Sequence, residues 1–187
     1  MMTWRRITGA AVLVVIFGAL ALWHWRQPPP LLNPIASVPF DVSHRGATAD
    51  AQVRIPQYRS WVIEVSFVGL NHAGLLRMGD LFHGNSRKGI ARLKIPLHVS
   101  IERYIGSGAA VVRIYNASVA ALTPWSHGAN DYQVQVVAIN LHPGLYSISV
   151  TALTQTPELA GFTANLAIEY RPYVQFIPYA VKPVGGK

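Results

Sequence analysis

The sequence contains no cysteine. Disulfide bonds, thiolate metal sites, a cysteine nucleophile and a lipid attached to a cysteine are therefore excluded. Acidic residues are also few, eight among 187 residues, and they are scattered along the chain. A glycosidase needs two carboxyl groups that face each other across a cleft, and no pattern here pairs them. We therefore look for a function that needs neither thiol nor paired-carboxylate chemistry.

The motifs of common enzyme classes are missing too. There is no Gly-x-Ser-x-Gly elbow, no His-Glu-x-x-His zinc motif, no phosphate-binding glycine loop and no dinucleotide fingerprint. Seven histidines are present, and His72, His83 and Asp80 are close enough in sequence to suggest a metal site, but their spacing matches no known ligand pattern. We expect a non-enzymatic protein with no cofactor and no metal.

The chain is basic, with a formal net charge of +8. A nucleic-acid-binding surface would need denser and more clustered Lys and Arg, so we expect no nucleic-acid partner. The excess charge instead favours acidic proteins or anionic lipid headgroups. Much Val, Ile, Tyr and Thr with few charged residues is typical of a β-rich folded domain.

An apolar stretch at residues 7–25 begins with Ile7 and ends with Trp25. Its length is close to the roughly 20 residues that a helix needs to cross a bilayer. Arg5 and Arg6 precede it and Arg26 follows it, which favours the N-terminus inside and the rest outside. The stretch predicts an uncleaved inner-membrane anchor, with the bulk of the chain in the periplasm.

A cleaved signal peptide is the alternative, because a small-x-small triplet ends at Ala21. Three prolines then stop the helix and impose extended geometry. We predict a signal-anchor at residues 1–26, a proline-rich spacer at 27–35, one β-sandwich domain at 36–171 and a C-terminal tail at 172–187.

Strict alternation of apolar and polar residues predicts half-buried strands at residues 60–68 and 95–103, with Glu64 and Ser66 on the polar side of the first. Six other segments match less regularly, at residues 38–42, 51–55, 111–115, 132–141, 145–153 and 164–170. About eight short strands separated by turns indicate an all-β, antiparallel immunoglobulin-like sandwich preceded by one transmembrane helix.

A Pro143-Gly144 pair followed by Tyr146 is the sharpest local signal. Pro-Gly suits the centre of a type II turn, in which glycine takes a positive φ. A tyrosine just after such a turn resembles the tyrosine corner of immunoglobulin-like domains, where the phenol bonds back to the chain. We predict a structural role for Tyr146.

Two segments interrupt the strands and are the candidate binding regions, because long loops on a rigid scaffold often bind partners. The first, residues 69–94, is too long for a hairpin loop, with a short helix predicted at residues 73–82. The second, residues 119–130, shows no regular pattern. The candidate binding residues in these two segments are Arg87, Lys88, Arg92, Lys94, Trp125 and His127.

Several short phrases together resemble a family of uncharacterised bacterial envelope proteins that carry N-terminal signal or lipoprotein segments. The phrases are PFDVS at 39–43, IPLHVSIE at 95–102, LHPGLY at 141–146, PELAG at 157–161 and LAIEY at 166–170. The resemblance spans about residues 36–171 and implies an envelope location and a shared fold. It implies no activity, and this chain lacks the cysteine of a lipoprotein.

Two functions fit these features. The first is a membrane-anchored periplasmic binding protein, in its concrete form an immunity-type protein that neutralises a secreted effector delivered to the periplasm. The second is a structural or assembly component of a cell-envelope complex that binds resident proteins or anionic lipid. Both expect a protein partner as well as the membrane, and the two differ in whether that partner is a toxin.

Overall fold

The structure is a computed structural model that describes residues 34–106, 110–119, 123–127 and 129–170. None of the helices in these residues combines the length and the apolar character needed to cross a bilayer. The predicted anchor at residues 7–25, the spacer up to residue 33 and the tail at 172–187 lie outside the described residues.

In the described part of the chain, nine strands form two antiparallel sheets, so the predicted all-β, sandwich-like architecture is confirmed. One sheet has five strands in the order β1-β9-β3-β7-β6, and the other has four in the order β2-β8-β4-β5. The strands are β1 (Ala36–Pro39), β2 (Thr48–Ile55), β3 (Arg59–Val68), β4 (Leu97–Ile105), β5 (Ala110–Val119), β6 (Thr123–His127), β7 (Asp131–Leu141), β8 (Gly144–Ala152) and β9 (Thr163–Tyr170). A helix, α1 (His72–His83), and two 3₁₀ turns, Ser86–Lys88 and Pro157–Leu159, lie in the connections.

The core comes from the alternating residues that the sequence predicts. On β4, Leu97, Val99 and Ile101 are fully buried, while the residues between them are partly exposed. A strand places successive side chains on opposite faces, so one face of the four-stranded sheet builds the core. Its other face carries small polar residues such as Ser100 and Ser149, which pair across β4 and β8.

β3 differs from the prediction of a half-buried strand. Glu64 and Ser66, predicted on the solvent side, are both buried, Glu64 completely. β3 is the central strand of the five-stranded sheet, and Gln135 on β7 and Ala167 on β9 flank Glu64 on its two sides. Alternation in sequence therefore reveals the strand but not the environment of its second face.

Residues 119–130 also differ from their prediction. β6 forms here as an edge strand that pairs with β7, and β5 extends to Val119. Pro124 lies at an irregularity in the pairing. Proline is tolerated on edge strands because its missing N–H removes no bond from the sheet interior. The short length and the bulge explain why no alternation is visible in the sequence.

The β7–β8 connection carries the chain from the five-stranded sheet to the four-stranded one. Tyr146 is buried, and its phenol donates to the carbonyl oxygen of His142 at 2.9 Å, as predicted. The turn itself is not the predicted type II turn. Gly144 has a φ of 158°, nearly extended, and is the first residue of β8.

Candidate functional site

The insertion between β3 and β4 begins with a capped helix. The side-chain oxygen of Asn71 accepts a hydrogen bond from the N–H of Gly74 at 2.8 Å, which satisfies one of the free donors at the start of α1. α1 ends at His83, and the capping residue Gly84 has a φ of 78°, a backbone conformation that favours glycine. Just before the helix, the N–H of Leu70 donates to the carbonyl of Asn130 at 2.9 Å, which joins the insertion to the start of β7.

The inner side of α1 is part of the hydrophobic core. Met78 and Phe82 are fully buried and Leu81 is nearly so. The Phe82 ring lies 5.8 Å from Phe67 and is stacked 5.6 Å from Tyr132. The spacing of these residues along the helix puts them on one face. The insertion is therefore fixed to the sandwich rather than being an independent loop.

The outer side of α1 presents Leu76, whose exposed fraction is 58%. Beside it is a shallow, open depression of about 570 Å³. Arg77 closes one side, because its guanidinium donates to the carbonyl oxygen of Glu158 at 3.1 Å and lies 5.1 Å from the centre of the Phe162 ring. The other lining residues are Ala73, Asp80, Leu81, Lys88 and Ile90.

Asp80 organises the segment that follows α1. Its carboxylate accepts hydrogen bonds from the Asn85 side-chain amide at 2.6 Å and from the Lys88 ammonium at 2.5 Å. These bonds, that of Asn85 first, hold the pKa of Asp80 below its ordinary value. Two main-chain bonds between Asn85 and Ile90 close the same turn. The Asp80 carboxylate thus serves to order this turn.

The four basic residues predicted to bind all lie exposed on this segment, but they differ in their contacts. Lys88 is bound to Asp80, whereas within the described residues no ion pair is found for Arg87, Arg92 or Lys94. Arg92 lies near the phenol of Tyr132, where its charge opposes the rise in pKa that burial causes. Arg87, Arg92 and Lys94 are therefore the charges that the fold leaves available.

Trp125 and His127 lie on β6 rather than in a loop. The structure does not describe their side chains. α1 contacts both β6 and β7, so the backbones of the two predicted binding segments are adjacent at one end of the sandwich. We call the exposed side of residues 72–94 the insertion surface; it comprises Leu76, Arg77, Arg87, Arg92 and Lys94.

Leu76 was not among the residues predicted from the sequence. The signal was present, because the buried face at Met78, Leu81 and Phe82 leaves Leu76 on the opposite side of a helix with 3.6 residues per turn. The suggested His72, His83 and Asp80 site does not form: among the residues that the structure describes, no group of three or more potential metal ligands comes together.

Comparisons with known proteins identify a family and a fold. Residues 37–170 match a family described as a domain of unknown function, DUF5625, while no curated protein matches the sequence significantly. The fold is similar to that in the crystal structure of a protein from Sulfurospirillum deleyianum, with a TM-score of 0.61 and 17% identity over 74% of this chain and 98% of that one. Because the family match spans most of the chain, this protein belongs to the DUF5625 family.

Proposed function

We propose that this chain is a non-enzymatic, membrane-anchored periplasmic protein that binds an acidic protein partner through the insertion surface. The single observation that carries the proposal is the exposed Leu76, which lines one depression together with Arg77 and Lys88 on a helix fixed to the core by Phe82. An apolar anchor with a charged rim is the usual anatomy of a protein–protein interface.

The rigidity of α1 supports this proposal. Stacking of Phe82 on Tyr132 and the Asn71 cap hold the helix in place before any partner arrives. A preorganised surface loses less conformational entropy on binding, so more of the contact energy appears as affinity. The turn ordered by Asp80 likewise holds the segment that carries Arg87 in one arrangement.

Charge supports an acidic partner. The rim of this surface would carry the exposed positive charges of Arg87, Arg92 and Lys94. Negative charge on the partner would then raise the association rate and favour that partner over others. A stable complex needs about 800 Å² from each partner, which is more than Leu76 and its rim provide. The neighbouring β6 strand, with Trp125 and His127, would supply the remainder.

The anchor at residues 7–25, the periplasmic location and the immunoglobulin-like class belong to the same proposal. The flanking arginines support the orientation. The bond from Tyr146 to His142, where the chain crosses between the sheets, supports the immunoglobulin-like class. In its concrete form, the protein is an immunity-type protein against a periplasm-delivered toxin; the alternative is a component of an envelope complex.

The test compares proteins captured from cells by the tagged full-length chain with those captured by three variants. Leu76→Asp and the pair Arg87→Glu with Arg92→Glu change the insertion surface. Ile114→Asp is the matched control, because Ile114 is 40% exposed on β5 of the other sheet. We expect one partner to be lost with both surface variants and retained with the control. Identical capture by all four proteins would refute the proposal.

The identity of the partner that is lost then distinguishes an immunity-type protein from a component of an envelope complex. A secreted toxin, together with poisoning of cells that lack the gene by their sister cells, would establish immunity. A resident envelope protein, with normal survival in dense co-culture, would establish the structural role.

A further inference from the structure

The chain enters the sandwich at the end opposite to the insertion surface. β1 begins at Ala36, which pairs with Ile168 near the end of β9, and the N–H of Ile35 donates to the Ile168 carbonyl at 2.9 Å. Trp61, near the start of β3, pairs with Tyr170. We call this the entry end; α1 follows the other end of β3, about 30 Å away for a strand of this length.

The turns of the four-stranded sheet reach the entry end as well. β2 leads into β3 through Tyr58, and β7 leads into β8 through His142 and Pro143. The Tyr58 and His142 rings lie 4.6 Å apart. The Arg103 guanidinium, near the end of β4, donates to the Pro143 carbonyl oxygen at 2.7 Å. These contacts join the two connections to each other and to the last residues of β4.

Large apolar side chains are exposed on this surface. Tyr58 is 56% exposed, and at the adjoining ends of β4 and β5 Ile105, Val111 and Val112 are 50%, 51% and 45% exposed. Val112 pairs directly with Arg103 in the sheet, and Ile105 is two residues further along β4. Exposed apolar residues that cluster, unlike scattered ones, indicate a contact surface.

The charges around this apolar cluster are mainly positive. Arg103 pairs with Val112 of the cluster. Arg113 is exposed on β5, with its guanidinium 3.4 Å from the Glu102 carboxylate. Arg54 is exposed near the end of β2, four residues before Tyr58. Arg59 also lies at this end, with its guanidinium 4.3 Å from the centre of the Tyr170 ring. The second carboxylate at this end, Glu169, is buried. The excess of arginine is complementary to a surface that carries negative charge, and not to an uncharged surface.

We propose that the entry end binds an anionic lipid surface, with Ile105, Val112 and Tyr58 inserted among the headgroups and the arginines on the lipid phosphates. Apolar side chains ringed by basic residues are the chemistry of interfacial membrane binding. The inference shares with the proposed function only the membrane anchor at residues 7–25. It does not depend on any protein partner of the insertion surface.

The point at which the chain enters the sandwich agrees with this occupant, because β1 begins on the side of the entry end and the proposed anchor at residues 7–25 precedes it in the sequence. Contact through this end would leave the insertion surface facing away from the membrane.

The test uses the full chain, in which the absence of cysteine allows a single label. Ile105→Cys carries an environment-sensitive fluorophore, and Leu153→Cys, just past the other end of β8, is the control with an exposed side chain. Both are placed in vesicles of phosphatidylcholine alone or with phosphatidylglycerol. In vesicles that contain phosphatidylglycerol, we expect the fluorescence of the label at position 105 to shift to the blue and to be quenched by lipid-borne nitroxides. The label at position 153 should show neither effect. In the Arg54→Glu variant, the label at position 105 should lose both effects.

The same fluorescence at positions 105 and 153 in both lipids would overturn the proposal. So would quenching between labels that depends on protein concentration and not on lipid, because it would assign the surface to a second copy of the chain. Flotation of the vesicles after an alkaline wash reports the anchor separately. A failed anchor with retained lipid-dependent quenching would refute the anchoring alone.

Discussion

The phenol of Tyr146 donates a hydrogen bond to the carbonyl oxygen of His142, four residues earlier, at 2.9 Å. The bond spans the crossing between the two sheets and closes the turn that contains Pro143 and Gly144. Burial raises the pKa of Tyr146, with smaller opposing effects from Arg103 and the bond to His142. The phenol therefore stays protonated and able to donate throughout the neutral range.

Removal of this hydroxyl group should destabilise the fold. We expect Tyr146→Phe to lower the free energy of unfolding by about 1 kcal/mol, because an intramolecular hydrogen bond contributes about that much and the His142 carbonyl would lose its donor. Urea unfolding followed by circular dichroism measures the change. A midpoint equal to that of the unchanged protein would contradict this structural role.

Tyr132 provides the matched control for that variant. Its phenol oxygen is buried, and no hydrogen-bond partner for it is found within the described residues. Tyr132→Phe therefore removes no bond, and we expect a change of less than about 0.5 kcal/mol or a slight stabilisation. Equal losses in the two variants would mean that the packing of the hydroxyl group, not its hydrogen bond, accounts for the effect.

Alanine substitutions on the buried and the exposed face of α1 should show that the insertion is part of the core. We expect Phe82→Ala to cost about 3–5 kcal/mol, because the lost ring leaves a cavity beside Phe67 and Tyr132. Leu76→Ala on the exposed side should change stability by less than about 0.5 kcal/mol. Thermal or urea unfolding measures both, and a small loss for Phe82→Ala would show that the insertion folds separately from the sandwich.

The period-2 pattern of β4 was enough to predict both the strand and its buried face, because Leu97, Val99 and Ile101 alternate with polar residues. The helix predicted at residues 73–82 is found at His72–His83. Local spacing determines both features. The order of the strands does not follow from spacing, since β3 pairs with β7 and β9, which are distant in sequence.

The candidate site was only partly predictable for the same reason. The sequence indicates which residues are basic, but only the fold shows that Lys88 is bound to Asp80 and that Arg87 is not. Leu76 became a candidate only once the buried face of α1 was known. The pairing of β6 with β7 depends on contacts across the sheet, so the five-residue strand left no local pattern.

Acid should weaken the turn that follows α1. Because the bonds from Asn85 and Lys88 lower the pKa of Asp80 in the folded protein, the folded state binds its proton less readily than the unfolded state. The stabilisation is thus complete above the ordinary value of 3.8 and is lost as the pH falls through the lower folded pKa.

The pH dependence of Asp80→Asn isolates this contribution. We expect the difference in unfolding free energy between the unchanged protein and the variant to shrink as the pH falls from about 5 towards about 2. The comparison is needed because the pKa of Asp41 is also lowered, chiefly by its bond from Ser43, so the stabilisation by Asp41 is lost in acid as well. A difference that does not vary with pH would contradict the assignment to Asp80.

Charge reversal should separate Lys88 from Arg87, although the two are adjacent. Lys88→Glu replaces the ammonium that binds Asp80 with a second carboxylate, so we expect the pKa of Asp80 to rise and the turn to lose stability. Arg87→Glu disturbs no ion pair among the described residues and should leave the free energy of unfolding unchanged. NMR titration of the Asp80 carboxyl group and urea unfolding measure the two effects.

This difference decides which variant can test binding. A loss of partner in Lys88→Glu could come from a disordered turn, whereas a loss in Arg87→Glu with unchanged stability can come only from the surface charge. If Arg87→Glu also raised the pKa of Asp80, the two residues would share the carboxylate, and Arg92 and Lys94 would be the remaining charges through which an acidic partner could be recognised.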